Sequence, residues 1–222
     1  MKRAVLLLGL AAFGTAPAAA QWLGMPSWNN PKGGTGVTVS GDFGRPNADA
    51  GKGNAFGGRV ALGLGTLSLT AGVASWKPDN VDARATSYGG TGAFRLIGGS
   101  LLPVAVNLQV GATHSGESAS GLDTLGAQTT VSAAVGLSVP LPTPGISIEP
   151  YISPGIRYHK ASNVPAGISD HQTNVGWVIG ANLSFGLLGI HLAYDTEKLD
   201  NGVTESVLGI GAHVGLKLPV GM

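Results

Sequence analysis

The sequence predicts an all-β chain: a transmembrane antiparallel up-and-down β-barrel of about ten strands, with eight as the lower count. Three observations carry this. Residues 173–218 alternate between apolar side chains and a face of glycine, serine and sparse charge, as strands with two unlike faces do. Charged residues make up 11% of the chain and glycine 37 of its 222 residues, against about 25% charge in typical soluble domains. No apolar run reaches the length of about 20 residues that a spanning helix needs. Strands are then the remaining route across a bilayer.

Residues 1–20 have the order of an export signal. Lys2 and Arg3 lead, an apolar core runs over 4–13, and Ala18-Ala19-Ala20 offers small residues for cleavage before Gln21. Cleavage there leaves 11 basic against 12 acidic residues, a net charge of −1. Residues 21–32 hold Trp22, Trp28 and two prolines without periodicity. They are expected to form a short periplasmic leader, with the tryptophans at the inner interface or packed under the barrel. The barrel domain is expected over 33–222.

Seven strands are expected at about 36–44, 54–64, 66–76, 87–97, 104–115, 125–139 and 146–160, and three more within 173–218. Val37, Val39 and Phe43 point outward in the first, against Thr38, Ser40 and Asp42. The second sends Phe56, Val60 and Leu62 outward, and the fourth Tyr88, Phe94 and Leu96. In the seventh, Pro150 and Pro154 each remove a ladder donor, and bulges are expected there. The last three present Val175, Trp177, Ile179, Leu183, Ile190, Leu192, Tyr194, Leu208, Ile210 and Val214 outward. Of these Leu183, Leu192, Leu208, Ile210 and Val214 are assigned to lipid contact.

Turn lengths and charge placement support the count. Short connections near 65, 98–103, 140–145 and 187–188 alternate with longer polar loops near 45–53, 77–86, 116–124, 161–171 and 198–205. That is the rhythm of periplasmic turns and external loops, and ten is an even number. Asp42, Arg59, Arg95, Glu149, Arg157, Asp195 and Lys217 all fall on the polar parity, which random placement would give about once in 128 tries. They are expected to form a lumen charge network in two tiers. Asp42, Arg157 and Asp195 lie near the outer rim with Arg59 just below, and Arg95, Glu149 and Lys217 lie lower. Phe43, Phe56, Tyr88, Tyr158, Trp177 and Tyr194 sit outward near the long loops, as an aromatic girdle does. The competing soluble β-sandwich or lipocalin-like barrel would expose glycine, serine and few charges, which suits solubility poorly.

The signal, the alternation and the turn–loop rhythm resemble the small outer-membrane β-barrel proteins of Gram-negative-type bacteria, the OmpA/OmpX-like and porin-like families. The resemblance spans residues 33–218 and rests on pattern alone. It implies a bacterial outer-membrane location, membrane lipids and the outer-membrane assembly machinery as partners, and an unidentified extracellular ligand. Such proteins commonly end in an aromatic residue, whereas this chain ends Leu218-Pro219-Val220-Gly221-Met222.

No catalytic, cofactor or metal site is expected. Gly33-Gly34-Thr35-Gly36 and Gly89-Gly90-Thr91-Gly92 lack the Lys-Ser/Thr helix start of a phosphate loop, and read as strand glycines beside close neighbours. His114 and Ser115 belong to opposite faces, which disfavours a base–nucleophile pair with Glu117 nearby. His159, His191 and His213 share the lumen parity on separate strands, at different expected heights. Near-zero charge argues against nucleic acid. The expected role is structural or surface-interacting, through external loops over a lumen filled by polar side chains. A narrow porin-like channel and an outer-membrane lipid-modifying enzyme are the alternatives.

Overall fold

The computed structural model describes residues 22–99, 102–162, 164, 167 and 169–216. The expected signal over 1–20, Lys217 and the C-terminal residues 218–222 lie outside the described residues. Ten long strands close a barrel: β1 (Gly34–Pro46), β2 (Asn54–Gly65), β3 (Leu67–Lys77), β4 (Ala85–Gly99), β5 (Leu102–Ser115), β8 (Gln128–Ser138), β10 (Ile146–Ala161), β11 (His171–Phe185), β12 (Leu188–Lys198) and β13 (Thr204–Leu216). Between them lie β6 (Ser118–Ser120) and β7 (Asp123–Leu125), a small separate hairpin, and β9 (Leu141–Thr143), which extends one edge of β10. Each barrel strand pairs antiparallel with its neighbour in the chain, and β1 closes on β13 with Val37 opposite Leu216. Closure removes the unpaired edges that lipid would not tolerate.

The wall has the polarity that the alternation requires. Leu192, Leu208, Ile210 and Val214 are exposed on the outside and Leu183 half-exposed beside them. Asp42, Glu149, Arg157 and Asp195 are buried inside. Apolar side chains facing out and buried charge facing in invert the arrangement of a soluble barrel.

Three expectations change. First, of the segment 21–32 expected below the barrel, the described residues 22–32 lie within it. Trp22, Met25 and Trp28 are buried inside the lumen, and the segment joins β1 at the short-turn end. Strand side chains fill the lumen of an eight-stranded barrel, whereas ten strands enclose more room, and this segment occupies it. Second, β10 carries no bulge at Pro150 or Pro154. Its pairing with β8 is interrupted at Ser153 and Pro154 and resumes in the same register, while pairing with β11 continues through both prolines. The register shifts fall instead between Arg95 and Gly99, where β4 meets β5. Third, the strands reach further outward than loop composition suggests. β12 runs to Lys198 and β13 starts at Thr204, which brings Glu197 and Glu205 inside.

Candidate functional site

The lumen is built around the irregular segment 22–33, whose backbone has no ladder to join. A buried backbone group must still find a partner, and wall side chains supply several. Leu23 N donates to Ser87 Oγ (3.1 Å), Ser27 N to Asp195 Oδ2 (2.8 Å) and Lys32 N to Glu149 Oε1 (2.8 Å). In the other direction Gln109 Nε2 donates to Trp28 O (3.1 Å), Asn182 Nδ2 to Asn29 O (3.0 Å) and Arg95 Nη1 to Lys32 O (2.7 Å). Asn29 also exchanges amide hydrogen bonds with Asn107 and donates to Ser153.

Glycines make the groove in which the segment lies. A Cβ on Gly44 would collide with the Gly24 carbonyl and the Met25 sulfur. One on Gly209 would strike Pro26 and Trp28, and one on Gly136 would strike Asn29 and Pro31. These inward glycines therefore serve close approach between wall and segment.

Two charge clusters flank the segment. Towards the long loops, Arg157 bridges Asp195 (2.7 Å) and Glu197 (3.0 Å), and Glu197 also meets His159 Nε2 (2.8 Å) and Asn174 Nδ2 (2.7 Å). Ion pairs this deeply buried hold together only when their remaining polar atoms are also bonded. The second cluster joins Arg59 to Asp42 (2.6 Å), with His191 Nε2 at 2.5 Å from Asp42 Oδ1. His191 Nδ1 lies 3.1 Å from His213 Nδ1, and the rings stack at 5.4 Å. Arg59 caps the face of Trp28 at 5.0 Å, adding a cation–π contact. Beneath Trp28, on the short-turn side, lies a cavity of about 260 Å³ lined by Thr38, Thr70, Thr91, Asn182, Ser184 and His213 among others.

The expected lumen network is thus partly assembled. Asp42 with Arg59, and Arg157 with Asp195, form direct pairs. Glu149 and Arg95 do not pair with each other. Both grip Lys32, by its N–H and its carbonyl, and Ser138 Oγ donates to Glu149 (2.7 Å). Lys217 lies outside the described residues. His191 and His213 prove to be adjacent rather than at different heights, while His159 belongs to the other cluster. Glu197 and the plug residues Ser27, Asn29 and Lys32 were missed. The step-two spacing of Asp195 and Glu197 was the available signal for the first.

On the outside, Phe43 packs on Phe56 (5.2 Å) and Trp177 on Tyr194 (6.3 Å), while Tyr88 meets His114 and Tyr158 meets His171. His114 contacts Thr129 on this outer side, whereas Ser115 is buried in the lumen. The loop between β10 and β11 ends in Asp170, whose carboxyl is held below the ordinary aspartate value by its hydrogen bond with His171.

No protein-family model matches the chain, and no curated protein matches it in sequence. Solved structures do match. The β domain of the Bordetella autotransporter Brka aligns with 82% of this chain and 100% of its own, at 11% identity and a TM-score of 0.51. A bacterial polysaccharide outer-membrane secretin aligns over 82% of this chain and 66% of its own, just under two thirds, at 10% identity and a TM-score of 0.49. The N-terminal β-barrel domain of Pseudomonas aeruginosa OprF aligns over 83% and 99%, at 17% identity and a TM-score of 0.38. With the inverted polarity of its wall, the chain has the fold of the transmembrane β-barrels of the bacterial outer membrane.

Proposed function

We propose that the protein is exported by its signal and resides in the outer membrane, where it serves as a plugged barrel with a structural or surface-interaction role. Membrane lipids contact its outer wall, the outer-membrane assembly machinery inserts it, and the long loops face the exterior. The observation that carries this reading is the segment 22–33 laid along the lumen and bonded to Ser87, Asp195 and Glu149 on separate strands. A water-filled pore has no use for a segment so held. The wild type is expected to give little or no conductance in planar bilayers, and a variant lacking residues 22–31 to give steady channels. Large, steady wild-type channels would instead favour a narrow porin-like channel. That second reading draws on the polar cavity beneath Trp28.

A further inference from the structure

Strands β12 and β13 carry the same short pattern, Gly189-Ile190-His191 and Gly211-Ala212-His213. Their antiparallel register sets His191 opposite Gly211 and His213 opposite Gly189. Each imidazole therefore lies over a residue without a side chain. A Cβ on Gly189 would strike His213 Nε2, and one on Gly211 would strike His191 Nε2 and Asp42 Oδ1. The reciprocal pairing brings the two Nδ1 atoms to 3.1 Å, with the ring planes 21° apart.

The surroundings fix the chemistry of each ring. His191 Nε2 lies 2.5 Å from Asp42 Oδ1, a contact that requires the proton on Nε2 and leaves Nδ1 a lone pair. A carboxylate on the far nitrogen is the common outer partner of a metal-binding imidazole, and it sets tautomer and orientation. Arg59 also approaches that nitrogen, at 2.9 Å, but Asp42 takes up its charge at 2.6 Å. His213 is half-buried and lines the polar cavity beneath Trp28, as does Ser40, directly opposite it on β1. The His213 Nδ1 proton that bridges the pair is the one a metal ion displaces, since imidazole ligates as the free base. Nitrogens about 2.0–2.1 Å from one metal ion stand about 2.9 Å apart at a right angle and about 3.4 Å apart at the tetrahedral angle. The observed 3.1 Å falls between these. Among the described residues no group of three or more His, Cys, Asp or Glu suits a metal ion. The pair therefore supplies two ligands and leaves the other positions to Ser40 and water.

We propose that His191 and His213 form a binding site for a divalent late transition-metal ion at the short-turn side of the lumen, with Asp42 as its positioning residue. The donors are imidazole and oxygen, and the chain has no cysteine. Cu(II), which heads the order of divalent affinities for such donors, is the ion bound most tightly. The site goes beyond the plugged-barrel reading and stands whether or not the barrel conducts.

Trp28 reports on the site, its ring standing edge-on to His191 at 4.5 Å. Trp22 and Trp76 bond Gly72 and Lys52 towards the long loops, and Trp177 lies on the outer wall. The full mature chain, folded in non-ionic detergent micelles, is titrated with Cu(II) against glycine as a weak competing chelator. One equivalent is expected to bind and to quench the share of emission that Trp28→Phe removes. Pulsed electron paramagnetic resonance should show coupling to two imidazoles. Asp42→Asn should weaken binding about 10–100-fold, the common loss on removing an outer partner. His213→Gln should weaken it further and leave one imidazole coupled, whereas His114→Gln/His171→Gln on the outer wall should change nothing. Loss of all Cu(II) to glycine, or a wild-type spectrum with a single imidazole, would overturn the site. Binding that His213→Gln leaves intact would do the same. The wild-type spectrum and the Trp28 quenching decide the matter even where a variant fails to fold.

Discussion

At the scale of single residues, the barrel depends on matched burial on both sides of its wall. Arg157 neutralises Asp195 and Glu197 where neither has access to bulk water. Arg157→Ala leaves both carboxylates short of their counter-charge, and removal of one partner from a buried pair costs about 3–5 kcal/mol. Urea titration in lipid vesicles should show that loss; an unchanged midpoint would mean that the cluster is hydrated. On the other side, Leu192 is exposed and apolar in a central position of β12. Leu192→Arg should cost about 2–4 kcal/mol in the same titration, the depth-dependent cost of a cation against hydrocarbon. Gly209→Leu acts by a third route. Its side chain would occupy the space of Pro26 and Trp28, so the segment must leave the wall, and a channel in planar bilayers is the expected result.

At the scale of elements, what alternation encodes was legible and what contact over long separations encodes was not. Period-two patterning gave the ten strands, their faces and the outward set of β11–β13, because each strand carries its own two-sided signature. The prolines of β10 misled, since pairing with β11 absorbs them without a register change. Segment 22–33 has no periodicity, and its partners lie as far as 168 residues away at Asp195, so nothing local marked it as a plug. Glu197 and Glu205 were lost because Lys198, Asp200, Asn201 and Gly202 read as loop, while the strands continue almost to that loop on both sides. The loop at 199–203 is short, with Asp200, Asn201 and Gly202 all exposed, and a turn closes it through Gly202 N to Leu199 O (2.9 Å). An epitope tag inserted between Asn201 and Gly202 is expected to be tolerated and to bind antibody on intact cells. Detection only after permeabilisation would reverse the topology.

At the scale of the whole molecule, the wall and the plug explain each other. Inward glycines leave a trough, the plug fills it, and wall carboxylates and amides bond the backbone of the plug. The exterior is left to the apolar side chains of the wall, Leu192, Leu208, Ile210 and Val214 among them. The placement of the plug inside the barrel is the central claim, and the chain contains no cysteine, so a single introduced thiol reports on it without interference. Met25 is 1% exposed among Gly44, Gly57 and its own segment. Met25→Cys in vesicle-inserted protein should resist a membrane-impermeant maleimide added on either side of the bilayer and react fully once the barrel is unfolded by heat, while Asn201→Cys reacts from one side in the folded state. Rapid labelling of Met25→Cys in the folded protein would place the segment outside the lumen and contradict the account.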